Sequence, residues 1–349
     1  MNPLLDQPIF INAPLFMLMA LGVWWAGSLL PLYADAISDR RRMGKAFVGL
    51  VFLASATSLP EIVTTLTGSL AGAPRLVLGT LFGGIAMQTA VLALADATIS
   101  SRPLTSFPRK PECALQATLL ALLLAVIVAI SVIGDRILFL DIGIGTSVLA
   151  VAYIGMLFML ERYEGSDSWR PVEVLETDEQ VGIGPSAKRL DELPLRQLVL
   201  RFAGASLVIL ICGLTLTAAA AALAEQTGLG TSFFGATLLA LATSLPEVST
   251  TFAAVRYGAY TMAISNIFGS NLLMIALVFP ADLAFVGGPV LDFMDDVTLL
   301  ALLIGIVATL VYLAGLLMRS HRKIAGMGID SAVVLGIYGL SLVLLHQLR

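Results

Sequence analysis

The chain is predicted to be an all-α polytopic membrane protein, ten transmembrane helices arranged as two inverted-topology repeats of five. Three observations predict this. The 349 residues are 58% hydrophobic and only 13% charged, with a mean hydropathy of +0.93, whereas soluble domains run nearer a quarter charged. Seventeen of the 20 Lys and Arg residues fall on one side of a ten-span topology. Finally, residues 47–96 align on 233–282 at a constant offset of 186, without a gap, with 19 of 50 positions identical.

A spanning helix needs about 20 mainly apolar residues. The chain offers ten such stretches: 13–33, 43–68, 74–98, 113–133, 138–160, 197–223, 231–255, 259–282, 294–318 and 327–347. The first is long enough to span and has no small-residue cleavage site behind it, so it is read as a retained helix. Short breaks carrying Gly, Pro or charge separate most of the others. The exception is 161–196, a polar stretch with the largest cluster of acids, read as a flexible acidic linker. It divides the chain into a first five-helix repeat (1–160), a polar loop (161–196) and a second five-helix repeat (197–349).

With the N-terminus outside, the inward ends carry Arg40, Arg41, Arg42, Lys45, Arg102, Arg109, Lys110, six basic residues bordering or within the long loop, Arg256, Arg319, Arg322 and Lys323. The outward ends keep only Arg75, Arg136 and Arg349. Lys and Arg accumulate on the cytoplasmic side, so both termini are expected outside and the 161–196 loop in the cytoplasm. Five spans per half is an odd number, so the second half enters the membrane upside down relative to the first. A net charge of −4 gives no argument for nucleic acid. Cys113 and Cys212 fit no zinc or CxxC spacing, and no disulfide between them is expected.

The identical positions of the repeat are not random small residues. They include an unbroken TSLPE at 57–61 and 243–247, the following Thr64–Thr65 and Thr250–Thr251, and Asp96 with Asp282. A proline and a carboxylate side by side are costly at membrane depth. Pro60 has no N–H for the carbonyl of Ala56, nor Pro246 for that of Ala242, and freed carbonyls there must be satisfied by protein, water or an ion. At helical spacing, Thr57, Glu61, Thr64 and Thr65 share one face. Each copy therefore presents a carboxylate, hydroxyls and loosened carbonyls, hard oxygen donors suited to Ca²⁺, Mg²⁺ or Na⁺. The next helix of each copy adds Thr80, Gly84 and Gln88, or Asn266, Ser270 and Met274, on one face. Inverted repeats place a binding site near the midplane where they meet, and an intramembrane ionisable residue is by default a functional one. Asp96 and Asp282 sit near helix ends and read as solvated interfacial carboxylates, as do Asp292, Asp295 and Asp296.

The doubled TSLPE, each followed about twenty residues on by a Gly/Asn/Ser-rich segment, resembles the alpha repeats of the Ca²⁺/cation antiporter superfamily, which includes the sodium/calcium exchangers. The resemblance implies that Glu61 and Glu247 are the central divalent-cation ligands. It also implies that Ala54, Thr57, Ser58, Ala240, Thr243 and Ser244 line the cation sites; Gln88 and Ser270 are added to them by the helix-face reading above, Gln88 standing where the family tends to carry Asn or Asp. The second motif departs from the family form GNxxGSN: SNIFGSN at 265–271 is close, GTLFGGI at 79–85 is not, and Met274 offers no hard oxygen. The expected activity is exchange of Ca²⁺ or another divalent cation for Na⁺ or H⁺ by alternating access, in a plasma membrane of prokaryotic type. The expected partners are inorganic cations and the lipid bilayer, with no cofactor. Two other readings stand beside it. A degenerate, non-transporting homologue is suggested by Gly84 and Met274. An intramembrane enzyme using the glutamates as acid and base would call for asymmetric surroundings and a Lys or Arg at depth, and the sequence shows neither.

Overall fold

The structure is a computed structural model that describes residues 7–41, 47–99, 101–139, 141–164, 193–227 and 239–347. Most of the expected polar loop, 165–192, and the first residues of the seventh expected span, 231–238, lie outside the described residues. The molecule is almost wholly helical. Among the described residues, seven helices are long and apolar enough to cross a membrane, and a bent pair makes eight. These spans make the chain an integral multi-pass membrane protein.

In chain order, α1 covers Ile9–Arg41; a π-helical turn, Val48–Leu53, leads into α2, Ala54–Thr57, and α3, Leu59–Leu70. Then come α4, Pro74–Asp96; α5, Glu112–Ile133; strands β1, Ile137–Phe139, and β2, Ile142–Gly143; and α6, Ile144–Glu164. After the long loop, α7 covers Leu195–Thr227, α8 Ala240–Thr243, α9 Leu245–Arg256, α10 Tyr260–Ala276, α11 Val278–Ala284 and α12 Asp296–Met318. Strands β3, Lys323–Ile324, and β4, Met327–Gly328, precede α13, Ile329–Gln347.

Two breaks shape the centre. At Ser58 the chain leaves helical geometry (φ −84°, ψ 11°), and at Ser244 it does the same (φ −86°, ψ 7°). Each serine starts a new helix with proline in its first turn, a position proline favours. The helices on either side of Ser58 meet at 54°. Neither serine caps its own helix with its side chain, so both hydroxyls are available to other partners. A third break, at Leu277, lies where Pro280 cannot donate to the carbonyl of Ala276.

Helix α4 is buried over nearly its whole length, and α10 likewise. Both form the middle of the main apolar core, with Phe82, Leu81, Ile264 and Phe268 at full burial. Small residues bring the elements close. A Cβ on Gly269 would lie 2.6 Å from the Leu50 carbonyl oxygen, and one on Gly49 would lie 2.8 Å from that of Met262; the π turn and α10 therefore meet backbone to backbone. Helices α1 and α7 pack along each other at the side, and Gly27 of α1 admits Ser249 of α9.

Three expectations need correction. The stretch 138–160 does not begin as helix: Ile137–Phe139 and Ile142–Gly143 pair as antiparallel strands, with Asp141 at φ 65°, and α6 starts at Ile144. The same holds for 327–347, where the β3–β4 hairpin ends at Gly328. Apolar residues in these hairpins mimic the start of a span. Asp96 and Asp282 are not solvated, being 0% and 1% exposed. Asp292 and Asp296 are exposed, as expected, and Asp295 half-buried; two of them have structural partners as well, Asp292 accepting the Asp135 N–H at 2.9 Å and Asp295 capping α12 by accepting the Thr298 N–H at 2.8 Å.

Candidate cation site between the two TSLPE segments

The two broken helices face each other across the core. Glu61 is 1% exposed and Glu247 0%, and Thr57, Ser58, Thr243, Ser244, Gln88 and Ser270 are all buried. The contacts cross from one copy to the other. Ser58 donates to Glu247 Oε1 at 3.0 Å, and Ser244 donates to Glu61 Oε1 at 3.4 Å. Each motif's serine therefore holds the other motif's glutamate. Serine is suited to this because the helix break turns its hydroxyl away from its own backbone and into the gap.

The flanking helices add one contact on each side. Ser270 of α10 donates to Glu247 Oε1 at 3.2 Å and lies 3.0 Å from the Ser58 hydroxyl. Gln88 of α4 donates through Nε2 to the Ser244 hydroxyl at 3.0 Å, with Met274 Sδ 3.9 Å away. Around Glu247 two hydroxyls converge on one carboxylate oxygen. Around Glu61 a single, longer contact is held in place by an amide.

The threonines of the motif do something different. Thr57 donates back to the carbonyls of Leu53 and Ala54, both at 3.1 Å, and Thr243 to that of Ala240 at 3.1 Å. The Ala54 carbonyl also accepts the Ser58 N–H, and the Ala240 carbonyl the Ser244 N–H. Both carbonyls named by the family resemblance are thus engaged. Thr64 and Thr250 likewise bond within their own helices, as Ser and Thr commonly do.

The oxygens left over mark where a cation would sit. Glu61 Oε2, Glu247 Oε2 and Gln88 Oε1 are buried without a hydrogen-bond partner. Buried polar atoms of native proteins nearly always have one, and three acceptors without a donor among them suit a positive ion. Asn266 Oδ1 is also without a partner, although its amide donates to Thr250 at 3.0 Å. Among the described residues, no group of three or more His, Cys, Asp or Glu side chains is placed to hold a metal; the two glutamates stand with neutral oxygens only. The repeat's departure at Gly84 and Met274 has a steric logic that the sequence did not reveal. A Cβ on Gly84 would lie 3.0 Å from Met274 Cε and 3.2 Å from its sulfur. The thioether occupies the room that a side chain at 84 would need.

Comparison with known proteins agrees with this architecture. The family model described as sodium/calcium exchanger protein matches residues 11–160 and 197–346. The chain is 28% identical to the inner membrane protein YrbG of Escherichia coli over 274 residues, 75% of this chain and 78% of YrbG. It is 23% identical over 277 residues to CaxA of Alkalimonas amylolytica, which carries the word antiporter in its name; 79% of each chain is covered. Its fold is similar to that of the sodium-calcium exchanger NCX_Mj, with a TM-score of 0.67 and 19% identity, covering 96% of this chain and 99% of that one. With the family model matching both of its halves, the chain belongs to the sodium/calcium exchanger protein family of cation antiporters.

Proposed function

We propose that this chain exchanges a divalent cation, Ca²⁺ or one like it, for two monovalent cations, H⁺ or Na⁺, by alternating access. The site is the gap between Glu61 and Glu247, with Thr57, Ser58, Ala54, Gln88 and their counterparts Thr243, Ser244, Ala240 and Ser270 around it. The reading takes the ten helical stretches as two inverted repeats of five, 1–160 and 197–349, joined by a cytoplasmic 161–196 loop, with both termini outside. The observation that carries it is the reciprocal pairing of Ser58 with Glu247 and Ser244 with Glu61. Such an exchange of partners is what two copies related by a pseudo-twofold axis would make, and it supports a single gap shared by both carboxylates.

The charge count follows. Two carboxylates balance one divalent cation, two monovalent cations or two protons, and an uncompensated charge in a low-dielectric interior is costly. Exchange is therefore electroneutral. Met274 and Gly84 remove hard oxygens from one flank, which weakens a flanking Na⁺ site. A proton needs no ligand other than the carboxylate it titrates, so H⁺ fits this site at least as well as Na⁺.

Radiolabelled Ca²⁺ flux in proteoliposomes tests both statements. It should be driven by a pH or Na⁺ gradient and be indifferent to a valinomycin-clamped potential of either sign. Flux that scales with voltage refutes the two-carboxylate balance. Absence of divalent flux under either gradient favours a non-transporting relative.

A further inference from the structure

Away from the cation gap, two other carboxylates are fully enclosed by protein. Asp96 closes α4 and Asp282 lies near the end of α11, and the two are equivalent under the 186-residue offset. Asp96 accepts the Leu104 N–H at 2.6 Å on Oδ1 and the Gly328 N–H at 2.7 Å on Oδ2. Asp282 accepts the Val290 N–H at 2.6 Å on Oδ1, and on Oδ2 the Gly143 N–H at 2.7 Å and the Thr146 hydroxyl at 2.5 Å. The pattern is the same twice. One oxygen ties down the loop that follows the helix, eight residues on. The other reaches the glycine that ends a β-hairpin in the opposite half of the chain.

At both receiving glycines the room of a Cβ is taken by carboxylate oxygens, those of the locking aspartate among them only at Gly328. A Cβ on Gly328 would lie 3.2 Å from Asp96 Oδ2 and 2.3 Å from Asp330 Oδ1; one on Gly143 would lie 1.9 Å from Asp135 Oδ2. Each hairpin leads directly into a helix, α6 or α13, so each aspartate fixes the start of the opposite half's fifth helix. The two sites stand at opposite ends of the molecule. Asp96 binds the loop before α5 and Asp282 the hairpin after it, and a helix of 22 residues is roughly 33 Å long. Further bonds reinforce the Asp96 end: Lys323 Nζ donates to the Ile99 carbonyl at 2.6 Å, and Arg319 donates to the carbonyls of Ser106 and Pro108.

The helices held in this way carry the flanking groups of the cation gap. Gln88 lies about two turns before Asp96 on α4, and Ser270 lies on the same broken span as Asp282. Gln88 and Ser270 reach Ser244 and Ser58, and through them the two glutamates. We propose that Asp96 and Asp282 are positioning residues for cation exchange. Each locks the end of a ligand-bearing helix to the opposite half of the chain, so that the divided cation gap keeps its spacing while other helices move. Carboxylate-to-amide bonds suit the task because ionised acceptors make hydrogen bonds about twice as strong as neutral ones. The role rests on the exchange function proposed above.

Three variants of the full chain test it: Asp96→Asn, Asp282→Asn and the milder Thr146→Val, which deletes a single bond to Asp282. Two readouts are taken in proteoliposomes. The first is the Ca²⁺ concentration for half-maximal flux, separated from the maximal rate and normalised to monodisperse protein. It should rise about tenfold in the asparagine variants and about threefold in Thr146→Val, with a smaller change in maximal rate. The second needs no transport: the distance between spin labels at Leu94 and Val333, both exposed, on a background without Cys113 and Cys212. Its distribution should broaden in Asp96→Asn. An unchanged half-saturating concentration in folded Thr146→Val overturns the positioning role, as does an unchanged distance distribution in Asp96→Asn. Reduced protein yield with unaltered affinity marks the carboxylates as structural only. If the unsubstituted protein carries no divalent flux while the labels still separate in Asp96→Asn, the exchange reading fails and the lock itself stands.

Discussion

The two copies of the TSLPE segment share five consecutive letters and the same broken-helix geometry, yet they hold their glutamates differently. Glu247 takes two hydroxyls, Ser58 at 3.0 Å and Ser270 at 3.2 Å, on one oxygen. Glu61 takes one, Ser244 at 3.4 Å, and Gln88 stands behind that hydroxyl. The cause lies in the next helix of each copy. Ser270 faces Glu247, whereas its counterpart Gly84 offers nothing to Glu61 and is covered by Met274. The difference teaches that the repeat preserves the backbone device, a serine–proline break aimed at the opposite carboxylate, while the flanking positions drift apart and set the ligand chemistry.

The largest effect should come from removing what the copies share. Glu61→Gln and Glu247→Gln are each expected to lower divalent flux by at least about 100-fold with little loss of expressed protein, since stripping one partner from a buried charged site costs about 3–5 kcal/mol. Near-normal flux in either variant would end the two-glutamate model.

Next is the attempt to restore symmetry. The double variant Gly84→Ser, Met274→Asp supplies a hydroxyl and a third carboxylate on the flank that now holds a thioether. Exchange should then become sensitive to a clamped potential, because three carboxylates no longer balance one divalent ion. Voltage-independent flux in the double variant would show that Met274 does not govern the charge count. Gly84→Ser alone must displace Met274 and is expected to impair flux more than the pair.

A smaller contrast concerns the serines themselves. Ser58→Ala removes a shorter bond, and a neighbour of Ser270, than Ser244→Ala does. It should raise the half-saturating Ca²⁺ concentration about threefold to tenfold, and Ser244→Ala about half as much, each bond being worth about 1 kcal/mol or somewhat more. Equal effects would mean that the geometric asymmetry has no bearing on affinity.

The smallest expected effect lies at the rim. Burial first, and the neighbouring Asp282 and Asp292 next, raise the Asp135 carboxyl above its ordinary value of 3.8, against the N–H bonds that favour its charge. A carboxyl raised on folding is easier to protonate in the folded state. Its contribution therefore favours folding at low pH and declines as pH climbs from about 4 through the folded value. Asp135→Asn should flatten that decline in a thermal-unfolding series run upward from about pH 4. A wild-type slope retained in the variant would assign the pH dependence elsewhere.

Much of the site was legible from residues alone. Proline beside glutamate in an apolar run, present twice, pointed to a break and a buried carboxyl group, and the structure has both a break and a buried glutamate in each copy. The cross-pairing of serine and glutamate was not legible, because Ser58 and Glu247 are 189 positions apart and the offset of 186 says which residues are alike, not which touch. The aspartates failed for a related reason. Depth along a helix suggested solvent at Asp96, but its donors are backbone N–H groups, one of them 232 residues away, and a backbone amide has no signature in the sequence. The β1–β2 and β3–β4 hairpins were hidden by composition, since Ile137, Leu138 and Phe139 are as apolar as the helix that follows.

The π turn at Val48–Leu53 has a consequence for the history of the chain. Such a turn stores one residue more than an α turn needs, and it stands just ahead of the segment that carries Ala54 to Glu61. A residue deleted within it would let the coil close to ordinary α geometry, leaving Phe47 and Ala54 close to their present bearings. The same deletion in the regular helix Pro74–Asp96 would turn every later side chain by about 100°. In a span where length is otherwise fixed by phase, these six residues are a place where the chain can grow or shrink by one.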